Sequence, residues 1–216
     1  MSLSRLTHEE DFIPAKNEII SDIKRLGLQI NKDKIECGLL SQPFSYLGYS
    51  FSNKYITVRN SSVLRIENSI EELVRELRNN HRYLEWKLNL KVTGFIIDDN
   101  KYGWMFFYSQ ITETSVLHHL DWVVNKILER YNVQSKIRPK RFVRTYFEIV
   151  RNLHETTYIL NLNNYTIDDK KRVLIDIYEQ PMEEFDEMDD ADIERLFRRI
   201  MKKEIRDIEK DIEHFS

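Results

Sequence analysis

Glycine, proline and cysteine are scarce in this sequence of 216 residues, which contains 5 glycines, 4 prolines and 1 cysteine. Glycine and proline are the residues that most often end a helix, so their scarcity favours long helices. The single cysteine, Cys37, has no partner for a disulfide within the chain, which fits a reducing compartment. We therefore expect a cytoplasmic location.

Long apolar runs and a basic leader are also missing. No apolar stretch approaches the roughly 20 residues that a membrane helix needs, and the first residues carry no secretory signal pattern. Charged residues make up 32% of the chain and hydrophobic residues 41%. Such a composition is typical of a soluble globular protein without a membrane partner, long enough for one domain or for a small and a larger one.

The sequence contains no recognisable catalytic or metal-binding set. The 6 histidines show no metal spacing, and Cys37 has no second cysteine with which to complete a zinc site. Paired aspartates are the residues that two-metal chemistry requires, but the three pairs fall in a turn, at a helix start and in an acidic segment: Asp98-Asp99, Asp168-Asp169 and Asp189-Asp190. We predict no catalytic residue, no metal site and no cofactor in this chain.

Charge is distributed unevenly. The formal net charge is −3, but residues 180–216 hold 7 basic and 13 acidic side chains, so the remainder is slightly basic. The basic excess is concentrated in residues 136–144, here called the basic segment, which contain five cations and no acid. Clustered cations beside aromatic residues can neutralise phosphates. The alternative interpretation is a solvated helix face.

Residues 1–59 predict one helix and a small sheet. Apolar residues between Glu9 and Leu26 recur about every 3.6 positions, so we expect a helix that ends at Gly27 and buries one face against the sheet. Alternating apolar residues and turn residues predict four strands: Leu28–Ile30, Ile35–Leu40, Phe44–Phe51 and Tyr55–Arg59. Gly48, inside the third strand, predicts a bulge or the close approach of another backbone.

From residue 60 the sequence predicts mainly helices. Apolar residues at helical spacing and capping residues define them: Asn60–Asn80, Tyr83–Ile97, Glu113–Tyr131, a helix that begins at Pro139, and a helix from Thr166 to Tyr178. A short extended piece, Thr156–Leu162, precedes the last of these. The expected fold class is therefore α+β and mainly α, with a small antiparallel sheet and one helix followed by a helical bundle.

The C-terminal residues combine an acidic linker and an amphipathic helix. The linker covers 179–190, and the helix, from about Asp189 to Phe215, repeats apolar residues at spacings of four and three, like a coiled-coil seam: Met201, Ile205, Ile208, Ile212 and Phe215. This seam either packs on the same molecule or pairs with another copy or another domain. Self-association through the C-terminal helix is therefore one of the expected interactions.

Two motifs resemble a known family. Residues 27–34 read Gly-Leu-Gln-Ile-Asn-Lys-Asp-Lys, and residues 44–49 read Phe-Ser-Tyr-Leu-Gly-Tyr. Their order and spacing resemble the end of the palm domain of bacterial reverse transcriptases, as in retrons, group II introns and defence-associated groups, where a hairpin carrying "FLGY" is the primer grip. Ser45-Tyr46 stands where the family more often has a single Phe. A looser similarity to the helical thumb of these enzymes, through Gly103-Trp104 and Leu120-Asp121-Trp122, extends to about Tyr178.

The resemblance implies a division into 1–59 as the end of the palm, 60–178 as a thumb-like domain, and 179–216 as the linker and C-terminal helix. In the family a catalytic Tyr-x-Asp-Asp motif precedes these elements, and this sequence contains none. We therefore expect a C-terminal part of an RNA-directed DNA polymerase, inactive alone, whose fingers and remaining palm precede it in the same polypeptide. Mg²⁺ and deoxynucleoside triphosphates are implied for the parent enzyme only.

The implied role is to position an RNA/DNA template-primer duplex, with the hairpin at the primer end and basic helices along the backbone. The residues expected to contact nucleic acid are Phe44, Tyr46, Leu47, Gly48, Tyr49, Arg59, Arg65, Arg138, Lys140, Arg141 and Arg144. One alternative is a helical protein-protein interaction module, in which the basic segment and Arg59 or Arg65 would not gather on one concave surface. Another is a standalone nucleic-acid binder.

Overall fold

The computed structural model describes residues 12–31 and 42–212, which fall in two compact units, 1–39 and 40–216. In the first unit, helix α1 spans Phe12–Arg25. The predicted strand Leu28–Ile30 is wrong, because the Leu28 amide bonds back to the carbonyl of Ile23 at 3.2 Å and closes the helix end instead of starting a sheet. The other early strand, Ile35–Leu40, and Cys37 lie outside the described residues.

The second unit begins with a three-stranded antiparallel sheet of β1 Phe44–Tyr46, β2 Tyr49–Phe51 and β3 Ile56–Val58. The prediction of one continuous strand over Phe44–Phe51 is wrong, because the chain reverses at Leu47 and Gly48. Their φ angles of 50° and 75° are both left-handed, and the flanking residues Tyr46 and Tyr49 pair across the turn. This is the geometry of a two-residue type I′ hairpin.

Gly48 lies in this turn and not in a bulge. The predicted close approach of another backbone is also wrong, because a Cβ atom at this position would lie 2.2 Å from the side-chain hydroxyl of Tyr108. The Gly48 carbonyl accepts a hydrogen bond from the amide of Arg59 at 2.8 Å. The hairpin turn is thereby held against the body of the unit.

Five helices follow: α2 Asn60–Leu77, α3 His81–Thr93, α4 Trp104–Phe107, α5 Ser115–Arg130 and α6 Phe142–Arg151. The prediction that α3 continues to Ile97 is wrong, because Gly94 takes a φ of 65° and its amide caps the helix on Leu90. The chain then forms a hairpin of β4 Phe95–Ile97 and β5 Asn100–Tyr102, with Asp98 and Asp99 in its turn. Asp98-Asp99 is therefore a turn, as predicted.

The remaining elements complete a second small sheet and its cover. Strand β6, Leu160–Asn161, pairs in parallel with β4, so the predicted extended piece is partly a strand. Helices α7 Ile167–Asp176 and α8 Asp190–Glu209 follow, each opened by a capping box. The segment predicted as an acidic linker contains a short 3₁₀ helix, Met182–Phe185, because the Phe185 side chain is buried.

Two hydrophobic cores lie on either side of α3. The first combines β2, β3 and helices α2 to α6, and α3 contributes Leu84 and Leu88 to it. The second combines the β4 sheet, α7 and α8, and α3 contributes Leu90. Met201 and Ile208 of the predicted seam are buried in this second core and Ile205 packs against it, so this part of the seam packs within the chain. Phe215 lies outside the described residues. The α+β, mainly helical fold class is confirmed, whereas the second sheet was not predicted.

We predict that Gly48→Ala lowers the free energy of unfolding by about 2 kcal/mol or more, because an L residue is strained at a left-handed φ and the new methyl group meets Tyr108. Chemical denaturation followed by circular dichroism measures this loss. The control is the same substitution in a Tyr108→Phe background, which removes the hydroxyl. The cost of Gly48→Ala should be smaller there, and an equal cost in the two backgrounds would contradict the contact.

Candidate nucleic-acid interface

Residues 137–141 of the basic segment lie outside any helix and run beside α3, whereas residues 142–144 begin α6. The amide of Arg138 donates to Glu85 Oε2 at 2.9 Å, and the amide of Lys140 donates to Asn89 Oδ1 at 2.7 Å. Two residues of extended chain and four residues of helix both span about 6 Å, so alternate amides of the segment meet acceptors one turn apart on α3. Pro139 lies between the two donors and has no amide of its own.

The prediction that Pro139 opens the helix is wrong, because α6 begins at Phe142. The contacts with α3 explain this later start. The backbone before Phe142 is held to α3 instead of entering a helix. The Phe142 amide then donates to Asp121 Oδ1 of α5 at 2.6 Å, and Arg141 Nε lies 3.2 Å from Asp121 Oδ2. A carboxylate from another helix therefore supplies the N-terminal cap of α6.

Tyr158 contacts three residues of the basic segment through its hydroxyl, its carbonyl and its ring. Its hydroxyl accepts the Arg141 amide at 2.7 Å, and its carbonyl accepts Lys140 Nζ at 2.6 Å. Lys140 Nζ also lies 5.3 Å from the ring centroid, and the Arg144 guanidinium lies 4.1 Å from it. Burial raises the pKa of the Tyr158 hydroxyl, so the ring stays neutral and attracts both cations through its π face.

The cationic side chains of the basic segment differ in their access to solvent. Lys140 is half-buried, and burial together with the nearby charge of Arg144 lowers its pKa. Arg138, Arg141 and Arg144 are exposed. Arg144 also pairs with Glu148 at 3.3 Å, but exposed ion pairs of this kind contribute little and are readily exchanged. These three arginines and Lys136, which is also exposed, are therefore the groups that an external phosphate can reach.

The hairpin residues divide into a buried and an exposed set. Gly48 and Tyr49 are buried, and the Tyr49 hydroxyl donates to the carbonyl of Phe107. Burial raises the pKa of Tyr49 to about 12. Phe44 is half-buried and stacks on Phe51 with ring centroids 4.9 Å apart. Only Tyr46 and Leu47, which are 42% and 37% exposed, present much of their side chains to solvent at the hairpin tip.

Arg65 lies away from the basic segment. It lines a groove of about 720 Å³ together with Lys87, Lys91 and residues of α2 and α8. Lys87 and Lys91 lie about 200° around α3 from Glu85 and Asn89, which anchor the basic segment, so the groove and the segment are on opposite sides of this helix. The geometry therefore does not bring Arg65 and the segment onto one concave surface.

Arg59 precedes the first turn of α2, at the base of the hairpin. Its side chain is exposed, and its Nε donates to Ser61 Oγ at 2.8 Å. Its amide is the donor that holds the Gly48 carbonyl. Arg59 is therefore placed with the hairpin, as the sequence led us to expect.

The residues that shape this site were not among the sequence candidates. Tyr158, Glu85, Asn89 and Asp121 lie far from the basic segment along the chain, and none belongs to a motif that assigns it a role. Only the packing of α3, α5 and α6 brings them together. The signal available in the sequence was the density of cations, which located the segment but not the groups that hold it.

Comparisons with family models, curated proteins and solved structures find no match for this chain. Within 12–31 and 42–212, no group of three or more His, Cys, Asp or Glu side chains is placed to hold a metal ion. None of the helices in the same two ranges combines the length and the apolar character needed to cross a membrane.

We predict that Tyr158→Leu lowers the free energy of unfolding by about 2 kcal/mol, because it removes both the ring beneath the two cations and the acceptor of the Arg141 amide. Tyr158→Phe keeps the ring and should cost only about 1 kcal/mol. Denaturant titration of the three proteins measures both losses. Equal losses for Phe and Leu would show that the cation-ring contacts add no stability.

Proposed function

We propose that this chain holds the backbone of an RNA/DNA template-primer duplex as part of an RNA-directed DNA polymerase whose catalytic carboxylates lie in another part of the enzyme. The observation that carries the proposal is the basic segment, with three exposed arginines on a backbone fixed by α3 and Tyr158. The resemblance of residues 27–34 and 44–49 to reverse transcriptases supplies the polymerase class.

The fixed backbone suits binding to phosphates. Binding is weakened by the entropy lost when flexible groups become ordered, and here the segment is ordered before any ligand arrives. Guanidinium groups match the geometry of phosphate oxygens through two parallel hydrogen bonds. Five cations of the segment face three nearby acids, Glu85, Asp121 and Glu148, so a positive excess remains.

In this proposal the hairpin contacts the primer end through its tip. Tyr46 and Leu47 are the accessible side chains, whereas Gly48 and Tyr49 hold the turn against Tyr108 and Phe107. Gly48 and Tyr49 would position the tip without touching the primer themselves. Mg²⁺ and the nucleotide belong to the parent enzyme.

A helical protein-protein interaction module remains the second candidate, because one observation favours it. Arg65 lies on the opposite side of α3 from the basic segment, as this alternative requires. Such a module has little apolar surface to offer on α8, because Met201 and Ile208 of its seam are already buried in the same chain. The module would therefore use the acidic exposed face of the C-terminal residues.

We predict that Arg138→Gln combined with Arg144→Gln weakens binding to an RNA/DNA hybrid and lowers its salt dependence. Each lost phosphate contact should reduce the slope of log affinity against log salt concentration by about 0.9. Fluorescence anisotropy with a labelled hybrid, over a series of salt concentrations, measures both quantities. Binding by the unaltered chain should itself weaken steadily as salt rises.

The matched control is Arg172→Gln combined with Arg199→Gln. This control removes the same charge. Arg172 matches Arg144, because it has an exposed i,i+3 ion pair. Arg199 matches Arg138, because neither has an ion-pair partner among residues 12–31 and 42–212. The control should bind like the unaltered chain. If the two double variants bind equally, or if the unaltered chain does not bind the hybrid at low salt, the proposal is wrong and the interaction module is favoured.

A further inference from the structure

The exposed face of α6 continues the basic segment with a second contact between an arginine and an aromatic ring. Arg144, Phe147 and Arg151 lie at positions i, i+3 and i+7, so they share one side of the helix. The Arg151 guanidinium lies 4.6 Å from the ring centroid of Phe147, just as Arg144 lies over Tyr158. These three residues are here called the α6 face.

Phe147 is held in place although it is 38% exposed. Its ring meets that of Tyr146 edge to face, with centroids 5.4 Å apart, and the Tyr146 hydroxyl donates to the carbonyl of Ile111 at 2.8 Å. Phe147 therefore packs on an anchored residue, and Arg151 lies over its ring. An exposed aromatic ring of fixed orientation beside a guanidinium plane is a surface on which a planar group can stack.

We propose that Phe147 and Arg151 bind an unpaired nucleobase and its phosphate, in a single-stranded stretch that continues from the duplex on the basic segment. This inference rests on the proposed function. Aromatic rings beside cations are the usual elements of single-strand binding, and a ring without donors or acceptors accepts any base. The site therefore takes unpaired nucleotides of any sequence.

The spacing along α6 fits a strand that passes from one site to the other. Seven residues of α-helix separate Arg144 from Arg151 by about 10.5 Å along the axis. Phe147 lies between them, so a base can stack on its ring while the two guanidinium groups reach phosphates on either side. The one acid on this side, Glu148, is occupied by Arg144 Nε at 3.3 Å and by Asn152 Nδ2 at 3.2 Å.

The test compares two ligands and two substitutions at position 147. The ligands are a blunt RNA/DNA hybrid and the same hybrid with an unpaired RNA extension at either end. Phe147→Leu keeps the apolar bulk but removes the π face, and it should weaken binding to an extended hybrid by about fivefold or more. Phe147→Tyr keeps the ring and should bind like the unaltered chain. Both variants should bind the blunt hybrid normally.

The outcomes separate this inference from the proposed function. If Phe147→Leu binds the extended hybrids as well as the unaltered chain does, or weakens the blunt and extended hybrids equally, the nucleobase site is wrong. The proposed function still stands in that case, provided that Arg138→Gln with Arg144→Gln weakens the blunt hybrid. If that double variant binds the blunt hybrid normally, the proposed function fails whatever the result at Phe147.

Discussion

The packing of α3 between two hydrophobic cores determines how the elements of residues 42–212 are arranged. Leu84 and Leu88 face the first core, and Leu90 faces the second. The polar positions of the same helix are used as well, since Glu85 and Asn89 accept the backbone amides of the basic segment. A helix that packs on two cores and fixes a loop through its polar residues determines where that loop lies.

The opposite polar side of α3 is joined to α8 by ion pairs with little access to water. Lys87 Nζ lies 2.6 Å from Glu204 Oε2, and Lys91 pairs with Asp211. Burial lowers the pKa of Lys87, but the charge and hydrogen bond of Glu204 together with the nearby Tyr83 and Asp207 outweigh it. The net shift is upward, so the lysine stays charged. Removing one partner would leave a charge buried without its counterion, which is far more costly than losing an exposed pair.

The two polar sides of α3 have different consequences for the proposed function. One side fixes the basic segment, whose exposed arginines face outward, and the other joins α8 and forms the groove that Arg65 lines. The sequence suggested a single cationic surface because its arginines were all considered together. The structure divides them, and in the basic segment Lys140 and Arg144 both lie over the ring of Tyr158.

Local patterns predicted the long helices well, since α2 and α5 show apolar residues at helical spacing and Thr166 with Asp169 forms a capping box. They failed where the backbone takes a conformation that the residue at that position rarely adopts. Leu47 takes a φ of 50°, which leucine rarely adopts, so the hairpin at Gly48 was hidden inside an apparent strand. The role of Tyr158 could not be predicted, because it depends on contacts between distant parts of the chain.

The proposed function requires the basic segment itself to contact nucleic acid, and site-specific cross-linking detects such a contact. A photoreactive residue replaces Ser135, an exposed position beside the segment, or Met182, which is 64% exposed in the acidic C-terminal region. After irradiation with a labelled RNA/DNA hybrid, we expect a cross-link from position 135 and none from position 182. Equal cross-linking from both positions, or none from position 135, would contradict the proposed function.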